Sequence, residues 1–432
     1  MSPTFASLRY RNYRIYAAGA LVSNVGTWMG RVAQDWLVLT QLTDHDSTSL
    51  GIVTALQFAP VVLLAPIAGA VSDRFSKRTV LLATQTALAV TSAVLAVLVL
   101  SSVVSLWQVY LIAAAQGVAT AFDNPTRQAF VSEMVPRERL ANAVGLNSAS
   151  FNGARLIGPG VAGLLIAAVG TGWTLAVNTV SFVAVLIALS LLSAAELRPA
   201  PRSAGKGRIR EGVAYVRERP DIMLIMFMVF MLGTFGMNFQ LTIALMSTAQ
   251  FHQGATAYGA LGSIMAVGSL AAALMSARRP RPRLRVLLIA MTGFTVAATA
   301  AALAPNFWLF GLFLIPTGLC ALTVLTTANA TVQLAVSPEM RGRVMSLYMA
   351  IFLGGTPIGA PIIGWIGSAW GPRWTILVGS IATGLTVIGA MVYLMRHEQL
   401  RLRIERQPLS RLPQIQVSSR QAAREVLPER VA

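Results

Sequence analysis

Gly69-Ala70-Val71-Ser72-Asp73-Arg74-Phe75-Ser76-Lys77-Arg78 decides the reading of this chain. Asp73, Arg74, Lys77 and Arg78 fall within six residues, while residues 50–71 before them and 79–100 after them carry no charge. The stretch is too charged to lie in lipid and too short to form a domain. A short charged turn between two apolar runs belongs on the cytoplasmic side of a membrane, because Lys and Arg in short loops are retained there. With that turn inside, the direction of every other span follows.

The rest of the composition agrees. The 432 residues are 55% hydrophobic and only 12% charged, whereas a soluble domain carries about 25% charged residues. The formal charge of +18, from 34 Lys and Arg against 16 Asp and Glu, falls in the connections and the tail. That distribution excludes nucleic-acid binding and fits anionic lipid and the positive-inside rule. Cys320 is the single cysteine, so the chain forms no internal disulfide and holds no Cys metal site. His45, His252 and His397 sit far apart, and there is no phosphate loop, H-E-x-x-H or G-x-S-x-G. We therefore expect no enzyme, no metal and no cofactor, and no direct use of ATP. Residues 1–13 lack an apolar core and a small-residue cleavage site, so no cleaved signal peptide is expected.

Twelve apolar segments can be read, at about 14–40, 49–72, 79–100, 104–123, 140–169, 172–195, 221–250, 256–277, 285–304, 306–333, 343–369 and 372–395. Each spans a hydrocarbon core of about 30 Å as a helix. The expected fold is an all-α membrane protein of two six-helix bundles, 1–195 and 221–395. A basic linker, 196–220, joins them, and a basic tail, 396–432, follows. Within the linker, 207–219 reads as an amphipathic surface helix; the tail reads as a short helical extension and then disorder. Apart from Arg31, Arg155 and Arg373, the basic residues fall on one side of this topology, which places both termini in the cytoplasm.

The chain also repeats. A shift of 201 residues brings Gly117 onto Gly318, Thr126 onto Thr327, Glu138 onto Glu339, Gly158 onto Gly359, Gly170 onto Gly371 and Trp173 onto Trp374. Two halves in one orientation imply a pseudo-two-fold axis along the membrane normal and a site between them.

Six spans, a linker, six spans and the opening stretch resemble the major facilitator superfamily. Its signature, G-x-L-x-D-R-x-G-R-K-x-x-L, is met by Gly69, Asp73, Arg74, Lys77, Arg78 and Leu81, with Val71 and Ser76 as departures. Gly158-Pro159-Gly160-Val161-Ala162-Gly163 resembles the G-P-x-x-G-G of antiporter branches. A third motif places an Arg three residues before a Gln-Gly pair. The pair is Gln116-Gly117, but position 113 is Ala. Gly30-Arg31-Val32-Ala33-Gln34-Asp35-Trp36 and Asn124-Pro125-Thr126-Arg127-Gln128 are similar to the bacterial branch that includes the enterobactin exporter. The resemblance implies a secondary transporter in a bacterial inner membrane that exports a small amphipathic molecule, such as a drug or siderophore, in exchange for protons. A metabolite importer and a non-transporting scaffold or sensor are the alternatives. A monomer surrounded by lipid is expected.

Individual residues sharpen this. Arg31 and Asp35 lie four apart on one helix face. Charges at membrane depth are costly and face a cavity or a partner. Asp35 is thus the expected proton-coupling residue, Arg31 its charge partner, and Arg155 a further member that needs an anion or another helix. A cytoplasmic gate is expected from Gly69, Asp73, Arg74, Lys77, Arg78, Asp123, Glu133, Arg341 and Arg343, with Asp73 pairing to Arg341 or Arg343 and Arg74 or Arg78 to Asp123 or Glu133. Gly153, Gly158, Pro159 and Gly163 are expected to bend a helix or let two backbones approach. Asn24, Gln34, Gln57, Gln116, Asn147, Asn152, Asn238, Gln240 and Asn329 are polar positions on apolar spans and candidate cavity liners, each with interhelical hydrogen bonding as its plainer role.

Overall fold

A computed structural model describes residues 3–198, 209–277, 283–397, 401–405 and 414–418. Linker residues 199–208, the basic connection at 278–282 and most of the tail lie outside the described residues. The chain is helical almost throughout. The helices are α1 (Arg11–Leu37), α2 (Ser47–Leu63), α3 (Ala65–Arg74), α4 (Lys77–Leu100), α5 (Leu106–Met134), α6 (Leu140–Ser190) and α7 (Ile209–Arg217). They continue as α8 (Pro220–Met231), α9 (Phe239–Leu245), α10 (Ala255–Ala277), α11 (Leu284–Ala302), α12 (Phe307–Ala335), α13 (Pro338–Trp370) and α14 (Pro372–His397). The linker helix expected at 207–219 is α7.

Among the described residues, eight helical stretches are long and apolar enough to cross a membrane, or nine when α2 and α3 count as one bent span. In lipid every backbone polar group must be bonded within the segment, which is why these apolar runs are helices. The bend of 55° between α2 and α3 has a local cause. Pro60 lies inside α2 and a second proline opens α3; a proline has no N–H to give and its ring strikes the preceding turn. Wider turns at Leu232–Gly236 and Met246–Gln250 flank α9 and interrupt the stretch from 220 to 250.

The repeat seen in the sequence reappears in the backbone. Gly170 (φ 86°, ψ 171°) breaks α6 into two arms, and Gly371 (φ 95°, ψ 166°), 201 residues on, separates α13 from α14. Only glycine occupies that region without strain. Helix starts repeat likewise. Ser105 and Gln108 form a reciprocal cap on α5, and Asn306 caps α12 by accepting the Leu309 N–H at 2.9 Å.

Chain direction alternates, so the molecule has a basic end, with residues 74–78, 137–139 and 337–343, and an opposite end, with residues 43–46, 101–105 and 303–306. α1 packs along α6, and α10 and α11 along α12; α2 meets α13 and α6 meets α10 across the sequence halves. Near the basic end Tyr13, Tyr16, Phe130, Met134 and Leu189 form a buried core, with Tyr16 edge-on to Phe130 at 5.7 Å.

One expectation changes. The described part of the tail contains an antiparallel strand pair, Arg401–Glu405 with Gln414–Ser418, so the chain is not wholly helical. The chain also packs as two units, Met1–Thr383 and Gly384–Ala432. The α2–α13 and α6–α10 contacts join the first sequence half to most of the second within the larger unit.

Placing a side chain at Gly170 costs about 1–3 kcal/mol of backbone strain. We expect Gly170→Ala to lower the thermal midpoint of purified protein. Gly145→Ala, at a helical position with nothing within 4 Å of the added carbon, should not lower it.

Candidate functional site

Trp28, Arg31 and Asp35 recur every three to four residues along α1 and so share one face. That face looks toward α2, α6 and α10. α6 comes close because Gly158 has no side chain: a Cβ there would lie 2.6 Å from Trp28 Cβ. Asp35 is 5% exposed. Its Oδ2 accepts a hydrogen bond of 3.1 Å from the hydroxyl of Tyr258 on α10. Trp36 stacks on Tyr258 with ring centroids 6.5 Å apart and 18° between planes. A carboxylate out of water must be hydrogen-bonded or protonated, and Tyr258 supplies the bond from the other half of the sequence.

The expected Arg31–Asp35 pair is not formed as an ion pair. The Arg31 guanidinium lies over Trp28 at 5.2 Å and Phe58 at 5.5 Å instead. Arg155 on α6 lies over the other neighbour of this cluster, the same Trp28 ring, at 5.5 Å. An aromatic face attracts a cation with part of the strength of a carboxylate. Among the described residues, neither Arg31 nor Arg155 has a carboxylate within 4 Å.

At the basic end the charges pair within their own half. Lys77 Nζ donates to Glu133 Oε1 at 2.7 Å, with both side chains largely buried. Asp123 accepts from Thr84 Oγ1 (2.9 Å), Gln85 Nε2 (2.6 Å) and Arg127 Nε (2.9 Å). Arg78 donates to the Ser190 carbonyl at 2.8 Å, and exposed Arg74 lies over Phe75. Arg343 pairs with Glu211 of α7 at 2.7 Å. Asp73 and Arg341 are exposed, and Gly69 has no close neighbour. The expected pairs of Asp73 with Arg341 or Arg343, and of Arg74 or Arg78 with Asp123 or Glu133, are therefore absent here. Lys77 and Arg127 reach the carboxylates first, and the linker helix occupies Arg343.

The opposite end is clamped, which the sequence reasoning missed. Asp46 caps α2, accepting from the Thr48 and Ser49 N–H groups at 3.0 Å each. It also accepts from Ser368 Oγ of α13 at 2.7 Å, and Ser47 Oγ donates to the Gly364 carbonyl at 2.6 Å. Partial burial pushes the Asp46 carboxyl up, but the hydrogen bonds from Ser49, Ser368 and Thr48 outweigh it and hold it below the usual carboxylate range. The Asp46-Ser47-Thr48-Ser49 run carries a cap signal; nothing in it names the partner on α13.

The helix-bend residues divide. A Cβ on Gly163 would meet the Ala255 carbonyl at 2.6 Å, and Ser263 Oγ donates to the Leu156 carbonyl at 2.6 Å, so Gly158-Pro159-Gly163 seats α6 on α1 and α10. Gly153 faces open space and takes no part. The polar candidates also divide. Asn24, Gln34 and Asn238 are buried, and Asn238 donates to the Thr234 carbonyl at 2.7 Å. Gln57, Gln116, Asn147, Asn152 and Gln240 are half-buried, and Asn152 donates to the Ser148 carbonyl at 2.9 Å. Asn329 lines a cavity of about 310 Å³ with Leu325, Thr326, Tyr348, Met349 and Phe352.

Residues 2–424 match the family model MFS_3, described as transmembrane secretion effector. The chain belongs to that family. Its members here are major facilitator transporters of the drug and siderophore efflux branch. The chain is similar to the staphyloferrin A transporter of Staphylococcus aureus, 24% identical over 88% of this chain and 95% of that one. Macrolide efflux protein A of Streptococcus pyogenes is 22% identical over 91% and 100%. The enterobactin exporter EntS of Citrobacter koseri is 23% identical over 85% and 88%. Among solved structures, a bacterial homologue of the human lysosomal transporter Spinster, inward-facing and occupied, superposes with a TM-score of 0.68. It is 15% identical and covers 89% of this chain and 96% of that one, so it speaks for the fold alone. This transporter thus has the major facilitator fold, as the opening motif implied.

Two outcomes follow for this transporter. Removing one partner of a buried ion pair costs about 3–5 kcal/mol, so Lys77→Ala should lower the thermal midpoint sharply, and adding Glu133→Ala should restore part of it. Asp46 titrates lower when folded than unfolded, so its contribution is present above the ordinary carboxylate range and lost as pH falls through the folded value. Thermal midpoints measured against pH should fall less on acidification for Asp46→Asn than for the parent protein.

Proposed function

We propose that this protein is a proton-coupled exporter of a small amphipathic molecule, working by alternating access as a monomer in the bacterial inner membrane. Twelve spans are the reading the helices support. α6 counts twice because Gly170 divides it, and α2 with α3 count once. α1 and α5, of 27 and 29 residues, are long enough to cross although Arg31, Asp35, Asp123, Arg127 and Glu133 lower their apolarity. Both termini then lie in the cytoplasm with the basic end, residues 1–195 and 221–395 act as the two rocking bundles, and 196–220 links them. Export is favoured by the efflux-type relatives.

The observation that carries the mechanism is the hydrogen bond from Tyr258 to Asp35. It joins the first sequence half to the second at a buried carboxylate. Rocking one bundle against the other must lengthen this bond. The carboxylate then meets water from the opposite side and releases or takes a proton, while the clamp of Asp46 and Ser47 with α13 opens. At the basic end Asp73 and Arg341, exposed and without an ion pair among the described residues, would close in that second state. Asp35 is thus the coupling residue, and Tyr258 is its cross-half partner.

Substrate-driven proton movement in proteoliposomes tests this, with a panel of lipophilic drugs and siderophores. We expect proton release with at least one substrate, and its loss by about tenfold or more in Asp35→Asn, a change of about 1.4 kcal/mol. Unchanged proton release in the variant would move coupling away from Asp35.

A further inference from the structure

Arg31 and Arg155 are unusual among the charged groups of this protein. Lys77, Arg127, Arg219 and Arg343 each hold a carboxylate within 2.9 Å. Among the described residues Arg31 and Arg155 hold none within 4 Å, yet they stand inside the helix bundle, with their guanidinium carbons 5.2 and 5.5 Å from the same indole ring. A guanidinium does not lose its proton in a protein. Two such groups around one ring repel each other, and cation–π attraction, about 0.5–2 kcal/mol, is a weak counterweight in a membrane. Asp35, the carboxylate on the same helix face, is bonded to Tyr258. The cluster therefore carries a surplus of positive charge.

The surroundings are aromatic. Both guanidinium groups approach the Trp28 ring, Phe58 flanks Arg31 at 5.5 Å, and Phe151 stands edge-on to Trp28 at 5.9 Å. Trp28, Arg31, Phe58 and Arg155 are all half-buried, and Phe151 is 47% exposed, so the cluster keeps an open side. The helices that form it come together at Gly158, which lets α6 touch α1.

Resting on the transport reading above, we propose that Arg31 and Arg155 form an anion-binding subsite, and that the transported molecule is an anionic aromatic amphiphile. Its carboxylate sits between the two guanidinium groups, and its flat apolar body lies against Trp28, Phe58 and Phe151. A planar guanidinium matches a carboxylate with two parallel hydrogen bonds. The ligand thus supplies the counter-charge that Asp35, one carboxylate beside two guanidinium groups, leaves short. A cationic drug of equal size meets the same ring wall with two like charges beside it and is rejected.

The test uses the full chain in phosphatidylcholine nanodiscs, with 1-naphthoate and 1-naphthylmethylammonium as probes of one shape and opposite charge. Equilibrium dialysis without a proton gradient reads their binding. The expected result is a preference for naphthoate of about tenfold or more, abolished in Arg31→Gln and in Arg155→Gln and partly kept in Arg31→Lys and Arg155→Lys. Equal binding of the two probes to the unaltered protein, which needs no variant to fold, would overturn the proposal. So would a preference that survives both Gln variants. Nanodiscs containing phosphatidylglycerol form the second arm. Displacement of naphthoate by that lipid would assign the subsite to an anionic headgroup and overturn the small-molecule occupant. Because no proton movement is read, the result stands apart from the Asp35 experiment.

Discussion

A carboxylate taken out of water needs a partner, and Asp35 finds one across the middle of the molecule. The Tyr258 hydroxyl comes from α10, more than two hundred residues later. Much of the surrounding architecture serves this meeting. Gly158 brings α6 against α1, Gly163 brings it against α10, and Trp36 stacks on the Tyr258 ring. The stack holds the phenol in line, so the hydrogen bond depends on how the two sequence halves are seated. A bond with that dependence would respond to any movement of one sequence half against the other, which a bond within one helix would not.

The two ends of the bundle differ in how they treat polar groups. At the opposite end Asp46 and Ser47 reach across to Ser368 and Gly364, so the halves are tied there by hydrogen bonds. At the basic end Asp123 and Glu133 are satisfied by Arg127 and Lys77 of their own half. Among the described residues, hydrogen bonds from Asp46 and Ser47 tie the halves at one end, while the paired carboxylates at the other are held within one half.

Much of the architecture was legible from the chain. The apolar runs and the charged turn at 73–78 identify a helical membrane protein, and the 201-residue shift identifies a repeat within it. Gly170 and Gly371, matched in sequence, hold matching positive φ angles. The repeat is visible because glycine is required at those backbone angles whatever surrounds them. Asp35 was legible as a costly charge on an apolar span. Its partner was not, because nothing in a lone Tyr258 marks it off from an interfacial aromatic. The pairs present in this state were not legible for a related reason: Arg74, Lys77 and Arg78 are alike in sequence, and it is Lys77 that reaches Glu133.

The sequence by itself determined the solvent, the helical state of the apolar runs and the glycine repeat. Those follow from hydropathy, backbone hydrogen bonding in lipid and glycine geometry, which act within one segment at a time. The tertiary structure decided which charges meet. Arg31 and Asp35 are neighbours on one helix face, yet the guanidinium turns to Trp28 and Phe58 while the carboxylate turns to Tyr258. Side chains this long have several partners within reach, and the choice is made by helices that the chain brings together only after it folds.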